Sequence, residues 1–220
     1  MSDLTNLQQI SIMLLPLLFA ITLHEVAHGW VASLLGDDTA RKLGRISLNP
    51  FKHIDLLGTL LVPILMYVST GFIFGWAKPV PVDFGRLHRP RRDMALVALA
   101  GPAANLLMML FWGLLARLGM ALHSTGWDWA ALPLVYAGGF GLMINAVLMV
   151  LNLFPLPPLD GGRVLVSLLP RRLALGMSRL ESYGIIILLI LLFTGLLWQI
   201  VGPLVSGSQQ WMALFIETLT

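Results

Sequence analysis

The sequence predicts an all-α, polytopic membrane protein, and two features of its composition and one of its pattern lead to that prediction. Hydrophobic residues make up 57% of the 220 residues, whereas charged residues make up only 11%. A soluble domain carries about 25% charged residues, and no water-soluble fold of this size hides so much apolar surface. The third feature is a set of apolar runs long enough to cross a bilayer. These features exclude a soluble globular enzyme, a disordered chain and a nucleic-acid-binding domain.

Four apolar segments have the length of about 20 residues that a spanning helix needs. They cover about residues 10–35, 94–122, 131–153 and 183–205. No Lys or Arg precedes the first segment, so it lacks the charged start of a signal peptide and we expect it to be retained as a span. A fifth apolar stretch, 56–76, is long enough but contains Pro63, Gly71 and Gly75.

The distribution of the 14 basic residues bears on the fifth stretch. If residues 56–76 cross the membrane, nine basic residues lie on one side and five on the other. If the stretch dips into the membrane and returns, 13 lie on one side and only Arg117 lies towards the other. The positive-inside rule favours this re-entrant arrangement. It makes the connections 36–93 and 155–182 cytoplasmic and places both termini outside.

The first predicted span contains His24-Glu25-Val26-Ala27-His28. Histidines at positions i and i+4 share one face of a helix, so both imidazoles can reach one metal ion. Zinc accepts such ligands, and Glu25 can act as general base on a water at the ion. The alternative is a histidine pair that is hydrogen-bonded within the bundle. Ionisable groups inside a span are costly unless they are paired, metal-bound or face a cavity.

A third ligand is expected, and Asp160 is the first candidate. It lies in Asn152-Leu-Phe-Pro-Leu-Pro-Pro-Leu-Asp160-Gly-Gly162, just after the third predicted span. In the re-entrant topology this stretch lies at the same membrane face as the His28 end of the first span. The alternatives are that Asp160 only stabilises a turn and that His53 is the third ligand. Two imidazoles and a carboxylate suit zinc, but they also form iron sites.

Three separated motifs resemble those of the site-2 protease family, the M50 type of intramembrane zinc metalloproteases. The motifs are HEVAH in a span, Gly101-Pro-Ala-Ala-Asn105 opening a later span, and NLFPLPPLDGG after another. They occur in the order found in the family, and the resemblance covers about residues 10–169. The stretches 49–55 and 74–82 resemble a compact bacterial branch without the PDZ or CBS domains that many relatives carry.

The resemblance implies a three-helix catalytic core formed by the first three predicted spans, within a single membrane-embedded peptidase domain over residues 1–220. It implies one catalytic zinc ion on His24, His28 and Asp160, with Glu25 as base, in an active site nearer the cytoplasmic face. It also implies a small membrane-associated β-hairpin or sheet after the first helix, for which 45–49 and 79–83 are the candidate strands. The segment at about 183–205 would then be an additional C-terminal transmembrane helix.

The function expected from these features is intramembrane proteolysis in a bacterial cytoplasmic membrane. The partners would be the bilayer and a substrate with a transmembrane segment, which has to unwind because a helix shields its own peptide groups. We expect a strand edge to hold the unwound stretch. Asn105 and Asn152, at the ends of apolar spans, would hold an extended peptide or an oxyanion, or else join helices by hydrogen bonds.

Three other functions remain open at the level of the sequence. A metal-binding membrane transporter or channel would require polar residues along a pathway, and the second and fourth predicted spans carry almost none. A catalytically inactive membrane binding protein would not need Glu25. A metallohydrolase acting on prenylated or lipid substrates is compatible with HEVAH, but the Pro-Pro-Leu-Asp-Gly-Gly motif favours the protease.

Overall fold

The fold is described from a computed structural model, which describes residues 5–62, 64, 65, 68 and 75–219. The α-helices bounded there are α1 (Asn6–Leu34), α2 (Thr39–Lys42), α3 (Pro90–Ser124), α4 (Asp128–Asn152), α5 (Asp160–Leu168), α6 (Arg171–Arg179), α7 (Glu181–Phe193) and α8 (Leu196–Leu219). Short 3-10 turns cover Pro50–His53 and Phe84–Arg86, and a π-helical turn covers Leu56–Leu61.

Local sequence sets both ends of α1. At its start, the Thr5 hydroxyl accepts a hydrogen bond from Gln8 N, and the Gln8 side chain accepts one from Thr5 N at 2.9 Å. This reciprocal pair satisfies backbone donors that the first turn leaves free. At its end, Gly36 adopts a φ of +112°, which an L side chain rarely tolerates. The first predicted span therefore stops where the chain can turn away from the helix axis.

The three long apolar helices α1, α3 and α4 form the centre of the fold. Each is long and apolar enough to cross a membrane, over Leu7–Leu34, Pro90–Ser124 and Asp128–Asn152. This confirms long apolar helices at the first three predicted spans, as candidate spans. Helices α3 and α4 approach closely at Gly138, where an added Cβ would lie 2.5 Å from Ala116 N. Small residues permit such close helix packing in membranes, where van der Waals contact drives association.

The fourth predicted span, 183–205, is not one continuous helix. Helix α7 ends at Phe193, Gly195 adopts a φ of +75°, and α8 begins at Leu196. Helices α6 and α7 pass the length and hydropathy requirement only together, as a pair bent by 63°. Within the described residues the chain thus has three candidate spans, or four if that pair is one span. Helix α8 packs Val201 and Val205 against the same core as Met109 of α3.

The predicted β-hairpin is wrong for the part of the chain that the structure describes. Residues 45–49 and 79–83 contain no strand there. Pro79 and Pro81 lack backbone N–H groups, so this segment cannot supply the regular donors that a strand ladder requires. The two segments meet through a side chain instead, because Arg45 Nη2 donates to Lys78 O at 3.0 Å and to Pro79 O at 3.3 Å.

The two ends of the stretch 56–76 lie side by side. Trp76 N donates to Gly58 O at 2.9 Å, and Thr59 Oγ1 donates to Trp76 O at 2.9 Å. A single helical crossing over these 18 steps would separate its ends by about 27 Å. The contacts therefore favour the re-entrant alternative over a simple crossing. Most of the stretch between these ends lies outside the described residues.

Because α3 packs closely against α4, replacing two neighbouring glycines of α4 by alanine should change the unfolding temperature in opposite directions. Gly→Ala stabilises an exposed helix position by about 0.8–1 kcal/mol, because Ala restricts the unfolded chain. Gly139 has no heavy atom within 4 Å of an added Cβ, so Gly139→Ala should raise the unfolding temperature. Gly138→Ala should lower it, since the clash with α3 costs about 1–3 kcal/mol. Tryptophan fluorescence during heating in detergent measures the unfolding temperature of both variants. Equal changes in that temperature would contradict the close packing at Gly138.

Candidate metal centre

Two histidines of α1 and the first residue of α5 converge inside the bundle. His24 Nε2 and His28 Nε2 lie 3.1 Å apart, and each lies 3.3 Å from Asp160 Oδ2. The three residues are 7%, 8% and 5% exposed, in that order. Among the described residues, they are the group of three His, Asp or Glu side chains whose geometry suits a metal ion. The structure thus brings together the ligands that the sequence predicted.

The hydrogen bonds behind the imidazoles fix which ring nitrogen carries the proton. His28 Nδ1 lies 2.7 Å from Val97 O, and a backbone carbonyl can only accept, so Nδ1 donates. A metal ion binds the neutral imidazole, which has one donor and one acceptor nitrogen, so in that form His28 Nε2 presents a lone pair towards Asp160. The carbonyl of Val97, on α3, therefore orients one predicted ligand.

Asn105 plays the same part behind His24. Its Nδ2 donates to Ala20 O at 3.3 Å and to Asn145 Oδ1 at 2.8 Å. Because Ala20 O can only accept, the amide orientation is determined, and Asn105 Oδ1 is the atom 2.7 Å from His24 Nδ1. His24 Nδ1 thus donates, and its Nε2 also presents a lone pair to the centre.

This network bears on the predicted alternatives for Asn105. The side chain is 0% exposed and joins α1, α3 and α4 by hydrogen bonds, which supports the helix-joining role over contact with a peptide. Asn145, also 0% exposed, was not singled out by the sequence analysis. The sequence did contain an indication of its role, because Asn145 is an amide within the apolar run of α4, where a polar side chain needs a hydrogen-bond partner.

The arrangement fits a bound metal ion. Three acceptor atoms face one another, and Asp160 Oδ2 is buried without a hydrogen-bond partner, which is costly unless a positive charge lies between them. Ligands held tetrahedrally at zinc distances of about 2.0–2.1 Å are about 3.3 Å apart, close to the observed separations. A Cβ on Gly101 would lie 2.4 Å from His28 Nε2, so this glycine keeps the space before the imidazoles open.

Close packing around two glycines places Asp160 at the start of α5. A Cβ on Gly161 would lie 2.1 Å from Leu153 O, and one on Gly162 would lie 2.2 Å from Pro157 N. Larger residues would push α5 away from the end of α4 and move the carboxylate. Helix α7 supports the same turn from its other side, since a Cβ on Gly184 would lie 1.8 Å from Pro157 O. The two glycines therefore allow α5 to pack closely against the segment that precedes it.

The remaining predicted site residues lie around this cluster. Glu25 is half-buried on α1, and its Oε2 accepts a hydrogen bond from Val80 N at 2.7 Å. Asn152 is the last residue of α4, half-buried, and its Nδ2 donates to Leu148 O at 2.9 Å. His53, the alternative ligand, is buried outside the cluster, with Nε2 2.9 Å from Ser47 O. The substrate role of Asn152 stays a prediction.

Fold and site together define a membrane protein with a candidate metal centre between its long apolar helices. The chain belongs to peptidase family M50, whose family model matches residues 12–195. This confirms the resemblance that the three motifs indicated, and membership of a membrane-embedded family agrees with the apolar helices. The family implies zinc as the metal.

The similar proteins are bacterial. The chain is 36% identical over 203 residues to the Bacillus subtilis protein named "Putative zinc metalloprotease YwhC", covering 90% of this chain and 87% of that protein. It is 31% identical over 179 residues to "Putative zinc metalloprotease Rip2" of Mycolicibacterium smegmatis, covering 80% and 64%. Rip2 of Mycobacterium tuberculosis is 29% identical over 175 residues, covering 79% and 63%. No solved structure matches this chain.

The contact between Asn105 and His24 predicts an effect on metal affinity. Asn105→Leu leaves the Nδ1–H of His24 without its acceptor, so the ring loses its orientation. Loss of such a supporting partner lowers metal affinity by about 10- to 100-fold. Competition for zinc with a chromophoric chelator in detergent measures this change. Met109→Leu is the matched control, one turn further along α3 and fully buried, and it should retain the affinity. Equal affinity in both variants would remove the supporting role of Asn105.

Proposed function

We propose that this protein is a zinc metalloendopeptidase that hydrolyses peptide bonds within or near transmembrane segments of membrane proteins. The observation that carries the proposal is the convergence of three acceptor atoms, from His24, His28 and Asp160, next to Glu25 inside an apolar bundle. Membership of family M50 and the names of the relatives support the same chemistry.

In this proposal His24, His28 and Asp160 would hold one zinc ion. When bound, zinc supplies Lewis-acid chemistry by polarising the scissile carbonyl and increasing the acidity of water. Glu25 takes the proton from the attacking water and returns it to the leaving amine. Its Oε2 already accepts the Val80 N–H, so we assign Oε1 to the water. Asn105 and the Val97 carbonyl keep both imidazoles in the tautomer whose Nε2 lone pairs face inward.

The location of the site supports a membrane-embedded substrate. His24 and His28 lie in α1, within a candidate span, and the surrounding helices are apolar. A substrate helix satisfies its own backbone groups in lipid, so it has to open locally before a peptide bond can reach the site. Asn152, at the end of α4 and half-buried, is our candidate for holding that opened backbone or the oxyanion.

The proposal extends to the surroundings of the protein. Its partners are the lipid bilayer and a protein with a transmembrane segment. We place it in the bacterial cytoplasmic membrane, with both termini outside and the site nearer the cytoplasmic face. The bias of basic residues supports that orientation, and the bacterial relatives support the compartment. We treat residues 1–220 as one peptidase domain, with its core at about 10–169 and the C-terminal helices α7 and α8 packed against that core.

Two substitutions separate metal binding from proton transfer. Asp160→Ala removes one ligand and should lose zinc, whereas Glu25→Gln keeps the ligands and should retain about one zinc per chain. Glu25→Gln should lower kcat about 100- to 10,000-fold, which is the contribution of a general base. Zinc content of the detergent-purified variants, and cleavage of synthetic single-span peptides with helix-breaking residues, measure both effects.

The outcomes of that experiment distinguish the alternatives. Full zinc affinity in Asp160→Ala would exclude Asp160 as a ligand and make His53 the candidate third ligand. A folded wild type that binds no zinc when zinc is supplied would remove the metalloprotease proposal. Zinc binding without peptide cleavage, unchanged by Glu25→Gln, would favour a metal-binding transporter or an inactive binding protein.

The proposed role of Asn152 gives a separate prediction. Asn152→Ala should lower kcat/KM about tenfold, the equivalent of one hydrogen bond of about 1.4 kcal/mol. Zinc content should not change, because Asn152 lies outside the ligand cluster. Ser167→Ala is the control, since that hydroxyl donates to Val164 O at 2.6 Å within α5. Normal cleavage by Asn152→Ala would exclude the amide from substrate binding.

A further inference from the structure

Residues 76–83 form an irregular segment between the stretch that begins at residue 56 and α3, and we refer to them as the strap. Hydrogen bonds fix the N-terminal half of the strap to the chain that precedes it. Trp76 N donates to Gly58 O at 2.9 Å, and Lys78 N donates to His53 O at 2.9 Å. The strap is therefore held against the turn Pro50–His53 and the π-helical turn that follows.

Asp37, in the connection after α1, holds the other end of the strap. Its side chain is 0% exposed, and Oδ2 accepts from Asp83 N at 2.7 Å. Burial by itself raises the pKa of Asp37, but hydrogen bonds from Thr39 and Asp83, with the charge of Arg86 nearby, outweigh it and hold this pKa below its usual range. The carboxylate is thus ionised at neutral pH and is a strong acceptor for the strap.

The middle of the strap contacts Glu25. Val80 N donates to Glu25 Oε2 at 2.7 Å, and the Val80 side chain is 7% exposed. Its Cγ1 would lie 2.8 Å from a Cβ on Gly29, so the absence of a side chain on that turn of α1 lets the strap approach. One hydrogen bond and one packing contact therefore fix the strap on the face of α1 that carries Glu25.

Arg45 binds the strap at the two carbonyls that precede Val80. Its Nη2 donates to the carbonyls of both Lys78 and Pro79, at 3.0 Å and 3.3 Å, immediately before the N–H that binds Glu25. Pro79 and Pro81 fix φ on both sides of Val80 and also restrict the residues before them. The backbone on both sides of Val80 therefore has few conformations, which couples the positions of these carbonyls to that of the Val80 N–H.

We infer that the strap positions the carboxylate of Glu25, and that Arg45 is the positioning residue that keeps the strap in place. The inference rests on the proposed role of Glu25 as general base. Arg45 acts through two hydrogen-bonded links, from its guanidinium to the carbonyls of residues 78 and 79 and from Val80 N to Glu25. A carboxylate held at one oxygen presents the other to water in a fixed direction, which is the orientation effect that proton transfer depends on.

Hydrogen exchange tests the links without reference to catalysis. Arg45→Ala should speed exchange of the Val80 amide about tenfold, the equivalent of one lost hydrogen bond, and Glu25→Ala should do the same. Arg41→Ala is the matched control, because the side chain of Arg41 is 62% exposed and its pairing with Asp38, at 3.8 Å, is on the surface. Unchanged Val80 exchange in Arg45→Ala overturns the inference, whether or not the protein cleaves peptides.

Kinetics then test the consequence for Glu25. Arg45→Ala should lower kcat about 10- to 100-fold, as expected for a misplaced catalytic group, with KM and zinc content unchanged. Arg45→Lys should recover part of kcat, since an ammonium can bind one carbonyl where the guanidinium binds two. A wild-type kcat in Arg45→Ala, with faster Val80 exchange, overturns the positioning role.

A purely structural role for Arg45 gives a different pattern. It would lower zinc content and the unfolding temperature together and leave kcat per zinc-loaded molecule unchanged, which also overturns the inference. If Arg45→Ala does not fold, Arg45→Lys serves in its place, with smaller changes in the same directions. Absence of peptide cleavage by the wild type would remove the proposed function, whereas the exchange measurement still decides whether Arg45 and Glu25 hold the strap.

Discussion

The structure is organised around three acceptor atoms that face one another where water is scarce. The atoms His24 Nε2, His28 Nε2 and Asp160 Oδ2 lie 3.1–3.3 Å from one another. In a medium of low dielectric constant such a cluster is unfavourable without a positive charge, and each group behind it also needs a partner. Asn105 and the carbonyl of Val97 supply those partners. The polar network therefore extends from the centre through three helices.

This constraint also explains where the chain uses small residues. Gly101 leaves room in front of the imidazoles, and Gly161 and Gly162 let α5 approach the end of α4. The C-terminal helices take part as well, because Gly184 of α7 lies against the turn that precedes Asp160. The segment that the sequence predicted as an additional span thus also supports the loop that places the third candidate ligand.

The sequence predicted the features that depend on local pattern. Apolar runs gave the three long helices within a few residues, and the i, i+4 spacing placed His24 and His28 on one face. Asp160 was predicted by the order of motifs and by the charge distribution. Contacts between side chains that are distant in the sequence were harder to predict. Asn145 offered only one amide in an apolar run, and its partner Asn105 lies 40 residues away.

The two differences in backbone structure have local causes. The predicted hairpin assumed that 45–49 and 79–83 pair through their backbones, but two prolines remove the donors and Arg45 bridges the segments with its side chain. The predicted fourth span is divided because Gly195 adopts a left-handed conformation, with a φ of +75°. Both signals were in the sequence, as prolines in one segment and a glycine in the other. The family resemblance outweighed the prolines in predicting the hairpin, and hydrophobicity outweighed the glycine in predicting the fourth span.

The two sides of the proposed site differ in how they are held. Rigid elements carry the ligand side, since α1 and α5 provide the ligands and α3 provides the groups behind the histidines. The base side depends on an irregular segment, because Glu25 is bound by Val80 of the strap. The ligands are nearly inaccessible, whereas Glu25 is half-buried. The strap therefore lies on the less deeply buried side of the proposed site, so the orientation of the base depends on contacts outside the helical core.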